Sequence, residues 1–230
     1  MPSLIPWALT LAVSALLALH VPLADAQQPA LKALRFDPAT VPGGHRVQGT
    51  VELTGAAGPG GLAVALASGS PQLAPVPASV TVAPGASRAT FAVDTRAVIE
   101  DETVEIKALV STQSVEAELR LRKPAVQHVT LAAPSICDGV HDGTLRYLLS
   151  GPAPAGLKVV ARAGVESGGA RYFSDSAEAV PAGASEGTIR VSLARCTKPL
   201  KERCEIAGWA RINSPAMGIT FTASCGAAPD

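Results

Sequence analysis

Long stretches of the chain alternate apolar and polar residues with a period of two. In residues 46–54 (RVQGTVELT), Val47, Val51 and Leu53 fall on one side and Gln48, Thr50 and Glu52 on the other. Residues 103–110 (TVEIKALV) set Val104, Ile106, Ala108 and Val110 inward. Residues 115–122 (VEAELRLR) set Val115, Ala117, Leu119 and Leu121 against Glu116, Glu118, Arg120 and Arg122. Such alternation predicts antiparallel strands with one dry and one wet face. Residues 62–67 (LAVALA) read as a more buried strand. Turn clusters separate these runs, among them Pro42-Gly43-Gly44, Gly58-Pro59-Gly60-Gly61 and Pro84-Gly85. After the first 26 residues no segment carries a period of 3.6. Six or seven short strands per unit predict an all-β sandwich.

The pattern occurs twice. Pro84-Gly85-Ala86-Ser87-Arg88-Ala89-Thr90-Phe91-Ala92-Val93 is answered by Ala182-Gly183-Ala184-Ser185-Glu186-Gly187-Thr188-Ile189-Arg190-Val191. Residues 55–62 are answered by 151–157, and Glu105-Ile106-Lys107-Ala108-Leu109 by Glu205-Ile206-Ala207-Gly208-Trp209. The offset changes little, as for whole-unit copies with small insertions. The reading is therefore a leader over 1–26, a first sandwich over 27–122, a short linker at 123–126 and a diverged second sandwich over 127–230. With Pro124 in so short a linker, the pair is expected to be stiff. Residues 165–178 match the first copy poorly and read as a long loop or an irregular edge.

The Gly43-Gly44 turn, the strand ending in Leu53-Thr54-Gly55, Gly60-Gly61 before an apolar strand, and above all residues 75–93 (PVPASVTVAPGASRATFAV) resemble the bacterial immunoglobulin-like repeats of exported and surface proteins. The resemblance covers about residues 31–122 well and 127–225 more loosely. It implies two tandem immunoglobulin-like antiparallel β-sandwiches in a structural or adhesive setting. It implies no activity and transfers no catalytic residue, because such sandwiches host many functions.

The N-terminus adds a compartment. Residues 4–19 are almost wholly apolar and lead to Ala24-Asp25-Ala26, the layout of a secretory leader cleaved after Ala26. The segment before the apolar run lacks Lys and Arg, which departs from the usual leader. The run is also slightly short for the roughly 20 residues of a membrane span. The expected location is periplasmic or extracellular, with no membrane insertion after cleavage. Charge is balanced at 19 basic and 19 acidic residues, so there is no basic field for nucleic acid.

An even number of cysteines in an exported chain favours disulfides over metal. All four, Cys137, Cys196, Cys204 and Cys225, lie in the second unit, and none of their spacings suits zinc. Three pairings are open. Alignment of the copies puts Cys196 at the end of the fifth strand and Cys204 at the start of the sixth, which favours Cys196–Cys204. Resemblance to immunoglobulin-like sandwiches, where the first and last strands run side by side, implies Cys137–Cys225.

Three segments carry residue types that chemistry uses. Gly183-Ala184-Ser185-Glu186-Gly187 fits the G-x-S-x-G pattern of a hydrolase nucleophile, which needs a strained strand-to-helix turn. Here the segment runs into a strand, and its counterpart at 85–89 lacks the last glycine, so a turn is the better reading. Asp138, His141 and Asp142 gather two acids and an imidazole, yet they align with the turn around His45. His128 stands alone and reads as a solvated histidine. Neither a catalytic residue, a metal ligand nor a cofactor is assigned. Trp209 is placed outward on its strand, where the first copy has Leu109, and is a candidate anchor for a partner together with Tyr172 and Phe173. The expected function is a non-catalytic structural or adhesive module for an unknown protein or cell-surface component. The alternative is a carbohydrate-binding or cell-surface ligand sandwich, weakened by an aromatic content of 3%. A hydrolase at Ser185 ranks last.

Overall fold

The computed structural model describes residues 29–132, 142–167, 170–192, 205–212 and 219–224, and every regular element among them is a β-strand. Strands β1 (Leu31–Asp37), β3 (Arg46–Leu53) and β6 (Arg88–Asp94) form one sheet in the order β1-β3-β6. Strands β2 (Thr40–Pro42), β4 (Leu62–Ser68), β5 (Ser79–Val82), β7 (Glu102–Val110) and β8 (Gln113–Arg122) form the facing sheet, ordered β2-β8-β7-β4-β5. The chain leaves the first sheet at Asp37, and β2 joins the second by parallel pairing of Thr40–Pro42 with Arg120–Arg122. That pairing covers the free edge of β8, which would otherwise present unpaired backbone groups.

Alternation explains the core. On β7, Val104, Ile106 and Ala108 are buried while Glu105 and Leu109 are exposed; on β8, Leu119 and Leu121 are buried between charged neighbours. They meet Leu34, Phe36, Val47, Val51, Phe91 and Val93 from the other sheet in one apolar cluster. The rings of Phe36 and Phe91 meet edge to face, 6.3 Å apart at 87°. At about 25 cal/mol per Å² of apolar surface removed from water, this cluster is the main stabilising term.

The second half has strands β9 (Val126–Ala132), β10 (Asp142–Leu149) and β13 (Glu186–Ser192) in one sheet, ordered β13-β10-β9. Strands β11 (Lys158–Ser167), β12 (Ala170–Ala179), β14 (Glu205–Ile212) and β15 (Ile219–Ser224) form the other, ordered β12-β11-β14-β15. Buried Val129, Leu145, Tyr147, Leu149, Leu157, Val159, Ala161, Ile189 and Val191 lie between them. The fold is thus all-β, built as immunoglobulin-like antiparallel sandwiches.

The turns before β6 and β13 are hydrogen-bonded alike. Gly85 N–H donates to Ala57 O, Ala57 N–H to Ala86 O and Leu53 N–H to Ser87 O. Around the later turn, Gly183 N–H donates to Ala153 O, Ala153 N–H to Ala184 O and Leu149 N–H to Ser185 O. Gly85 and Gly183 both sit in the left-handed region, at φ 75° and 85°, where a side chain is strained.

Cross-strand pairs in the two sandwiches divide core volume differently. Gly49 faces Phe91, whereas the corresponding pair later is Leu145 and Ile189. Val51 faces Ala89, whereas the later pair is Tyr147 and Gly187. Each aromatic ring lies over its glycine: a Cβ on Gly49 would stand 2.6 and 2.8 Å from two Phe91 ring carbons, and one on Gly187 2.6 Å from Tyr147 Cζ. Burial, with Glu178 as a lesser influence, pushes the Tyr147 phenol above the ordinary 10.0. A raised folded value means that its contribution is complete below pH 10.0 and is lost as pH rises through the folded value. Ultraviolet titration of a Tyr172→Phe variant, which leaves one tyrosine, is expected to show a delayed phenolate transition coinciding with loss of β signal.

Two expectations need correction. Residues 62–67 are buried on one face like the other strands, not more: Leu62, Val64 and Leu66 are buried but Ala63, Ala65 and Ala67 are exposed. Alanine is apolar but small enough to sit on a wet face, so the letters hid the alternation. The segment over 165–178 is not a loop or irregular either. It contributes to a hairpin of two ten-residue strands, β11 and β12, paired without a register shift.

Candidate interaction site

Two regions remain as candidates for function: the junction between the sandwiches, and the outer face of the sheet that carries β12, β11 and β14.

The junction is built from a turn that the first sandwich holds in place. Thr95, a buried polar residue at 6% exposure, donates its hydroxyl to His45 O at 2.6 Å and accepts Gly44 N–H at 3.1 Å. His45 Nδ1 lies 3.0 Å from Pro42 O. The turn so fixed meets the strand end of the second sandwich. A Cβ on Gly44 would collide with the Pro152 ring, and one on Gly151 would stand 3.0 Å from both Pro42 Cβ and His45 Cε1. Gly44 is also at φ 88°.

The connecting residues are tied on both sides. Arg122 O accepts Gly43 N–H at 2.9 Å. Asp101 accepts Arg122 Nη1 at 2.6 Å and Lys123 N–H at 2.9 Å. The Lys123 backbone N–H, with the Arg122 guanidinium next, holds the Asp101 carboxyl below its ordinary 3.8. Beyond Pro124, Ala125 N–H donates to Ser150 Oγ at 2.9 Å, and Ser150 N–H donates back to Ala125 O at 2.8 Å.

On the outer face, register decides which candidates share a side. Trp209 pairs with Arg162, and Arg162 with Asp175. Phe173 pairs with Gly164, one step along the same face. Tyr172 pairs with Val165, which has the parity of fully buried Val159 and Ala161, so its position belongs to the opposite face. By register, positions 173 and 209 share one parity along the sheet and position 172 has the other. Between β12 and β14, Arg162 forms a two-pronged contact with Asp175, Nε to Oδ1 at 2.6 Å and Nη2 to Oδ2 at 2.8 Å. This contact raises the Arg162 pKa, through its hydrogen bonds to Asp175. The sequence reading missed the ion pair because it took residues 165–178, and with them Asp175, as a loop or irregular edge; alternation across VVARAGV places Arg162 at an outward position.

The row Asp175–Arg162–Trp209–Thr220 has its counterpart in Ser79–Ala65–Leu109–Ser114. Trp209 thus holds the same register position in its sheet as Leu109 does in the other. Leu109 itself is 37% exposed.

Ser185 lies in the turn just before β13, and its carbonyl accepts Leu149 N–H. His128 is exposed on β9, opposite Leu148. Asp142 opens β10 opposite Ser192. Asp138, His141 and the cysteines Cys137, Cys196, Cys204 and Cys225 lie outside the described residues, as do the leader and its cleavage site. Among the described residues no cluster of three or more His, Cys, Asp and Glu is placed to hold a metal, and no helix is long and apolar enough to cross a membrane. An open depression of about 630 Å³ on the first sandwich is lined by Asp37, Arg46, Gln48, Thr90 and Ala92.

No family model matches the chain. No curated protein matches it either. Solved structures do resemble it at low identity. Bovine butyrophilin is 12% identical with a TM-score of 0.36, over 87% of this chain and 98% of that one. The calcium-binding domain CBD12 of CALX1.1 is 12% identical with a TM-score of 0.33, over 80% and 82%. Dimeric latent PorU from Porphyromonas gingivalis is 13% identical with a TM-score of 0.31; this chain covers only 20% of it, with 87% of its own length matched. Nothing about function follows from likenesses at this level.

Proposed function

We propose that the chain is an exported, non-catalytic interaction module in which two immunoglobulin-like sandwiches, copies of one unit, are held at a set angle and present an outer sheet face to a protein or cell-surface component. The observation that carries this reading is the tied junction. A flexible tether would leave residues 122–126 free of either side. Here Asp101, Gly43 and Ser150 together hold Arg122, Lys123 and Ala125, and Gly44 packs against Pro152. Positions 173 and 209, which share one parity in the register, are the candidates for the aromatic part of that face.

The test measures the distribution of distances between spin labels, one on each sandwich. The unaltered protein is expected to give one narrow distribution at neutral pH. Gly44→Val sets a β-branched residue at positive φ against Pro152, costing about 1–2 kcal/mol, and is expected to shift and broaden it. Asp101→Asn, which leaves the fold of each sandwich intact, is expected to broaden it. The pH dependence has a definite sign. Because the folded Asp101 pKa is depressed, its clamp is complete above the ordinary 3.8 and is lost as pH falls through the folded value. Asp101 is largely in solvent, so the readout is angle rather than stability. A broad distribution already present in the unaltered protein at neutral pH would defeat the proposal.

A further inference from the structure

Three of the four sheet edges of the first sandwich are blunted and one is not. Strand β2 has three residues and ends in Pro42, β5 has four, and β1 carries a register shift between Leu31 and Ala33. Strand β6 runs for seven residues, contains neither proline nor glycine, and pairs with β3 without a shift. Among the described residues β3 is its only hydrogen-bonded strand neighbour. Natural sandwiches shorten, bulge or charge their edges, because a regular edge offers unpaired backbone N–H and C=O groups to any strand that approaches.

The phase of the backbone shows which groups are open. At the two ends of the β3–β6 pairing, Leu53 N–H donates to Ser87 O and Thr95 N–H donates to His45 O. Residues of an antiparallel strand alternate in the direction of their backbone groups, and the register runs unshifted between these ends. The odd-numbered residues of β6 therefore bond to β3, and Arg88, Thr90, Ala92 and Asp94 turn their N–H and C=O groups to the open edge. The side chains of the same four residues take the outer face, opposite in parity to buried Phe91 and Val93.

We infer that β6 is a self-association edge: the β6 strand of a second copy of this chain pairs with it antiparallel about a two-fold axis at Phe91, giving one continuous sheet across both molecules. A two-fold normal to the sheet keeps the outer face outer, so only residues of equal parity stand opposite one another. Centred on Phe91, the pairing engages the whole strand. Arg88 meets Asp94 of the second copy at each end, and Thr90 meets Ala92 of the second copy between them. Centred on Thr90 or on Ala92, neither Arg88 nor Asp94 meets an opposite charge. Strand β13 of the second sandwich also carries one charge of each sign, Glu186 and Arg190, but a two-fold that matches them engages residues 186–190 alone.

The favoured register continues charges already set within each sheet. Arg46 stands opposite Asp94, and Glu52 opposite Arg88. Across the two copies the row becomes Arg46, Asp94, then Arg88 and Glu52 of the second copy, alternating in sign over four strands. Both meeting groups keep free capacity. Arg88 reaches Glu52 Oε1 through Nε at 3.2 Å and Nη2 at 2.7 Å, which leaves Nη1. Arg46 Nε reaches Asp94 Oδ1 at 3.4 Å, which leaves Oδ2. Opposite-charge pairs across strands stabilise a sheet.

The test uses both sandwiches together, residues 27–230. Sedimentation is expected to show a monomer–dimer equilibrium that depends on concentration. Arg88→Glu and Asp94→Arg each put like charges at both ends of the pairing, and each alone is expected to weaken it about tenfold or more. Mixing the two variants matches every charge again and is expected to restore association as a mixed dimer, which a merely structural role for either residue would not produce. Register is read independently by cysteine trapping, since opposed Cα atoms of a hydrogen-bonded antiparallel pair are about 5.5 Å apart, within disulfide reach. The double variant Thr90→Cys/Ala92→Cys is expected to link two copies between residues 90 and 92, shown by peptide mapping, while Thr90→Cys alone does not link through residue 90. A monomer at every concentration, a dimer indifferent to both charge reversals, a mixture that fails to associate, or trapping of residue 90 to its own copy overturns the inference. Each readout concerns β6 alone, so it stands or falls separately from the angle between the sandwiches.

Discussion

Replacing Leu119 with alanine is expected to lower the unfolding free energy of the first sandwich by about 2–5 kcal/mol. Leu119 is fully buried and belongs to the cluster joining both sheets. The loss combines transfer of the missing methyl groups with the void they leave, which a close-packed interior refills only in part. The check is denaturant unfolding, with a lower midpoint and an unchanged slope. In a chain lacking residues 1–26, Trp209 is the one tryptophan and reports the second sandwich alone. Circular dichroism is thus expected to shift for half of its amplitude, while Trp209 fluorescence keeps its midpoint. A joint shift of both signals would mean that the two sandwiches unfold as one body.

The second large effect comes from the exchange of volume across β3 and β6. Gly49→Leu drives a side chain into the Phe91 ring and is expected to destabilise by about 1–3 kcal/mol or more. Phe91→Ile alone leaves a void beside Gly49 and removes the edge-to-face contact with Phe36. Together the two changes recreate Leu145 facing Ile189, a pair that the second sandwich already accommodates. The double variant is expected to be more stable than the sum of the single effects predicts, by roughly 1–3 kcal/mol of coupling in a double-mutant cycle. Additive losses would show that the neighbourhoods of the two pairs differ too much for the exchange to carry over.

The strands β3, β7 and β8 were legible in sequence because their inward positions are large aliphatics and their outward ones charged or polar. Strand β4 was legible as a strand, but its faces were not, since alanine satisfies both sides of the alternation. The hairpin of β11 and β12 was opaque for a different reason. Glycine, serine and alanine fill so many of its positions that hydrophobic period is faint. Positions 172 and 173 separate by strand alternation alone, but which of them shares the parity of Arg162 needed the register of β12 against β11. The junction was readable only as a short, proline-containing linker. The clamp from Asp101 joins residues about twenty positions apart, and the seat of Gly44 on Pro152 joins positions more than a hundred apart, so neither leaves a trace in a window of neighbouring letters.

The tie at Arg122 through Ala125 has a mechanical consequence. A pull applied to one end of the molecule meets no slack between the two bodies. Tension passes at once into the bonds that Gly43, Asp101 and Ser150 make to the connecting backbone. Under stretching these short bonds would part before either core is strained, so the first extension event is a small lengthening at the joint, with both bodies still intact.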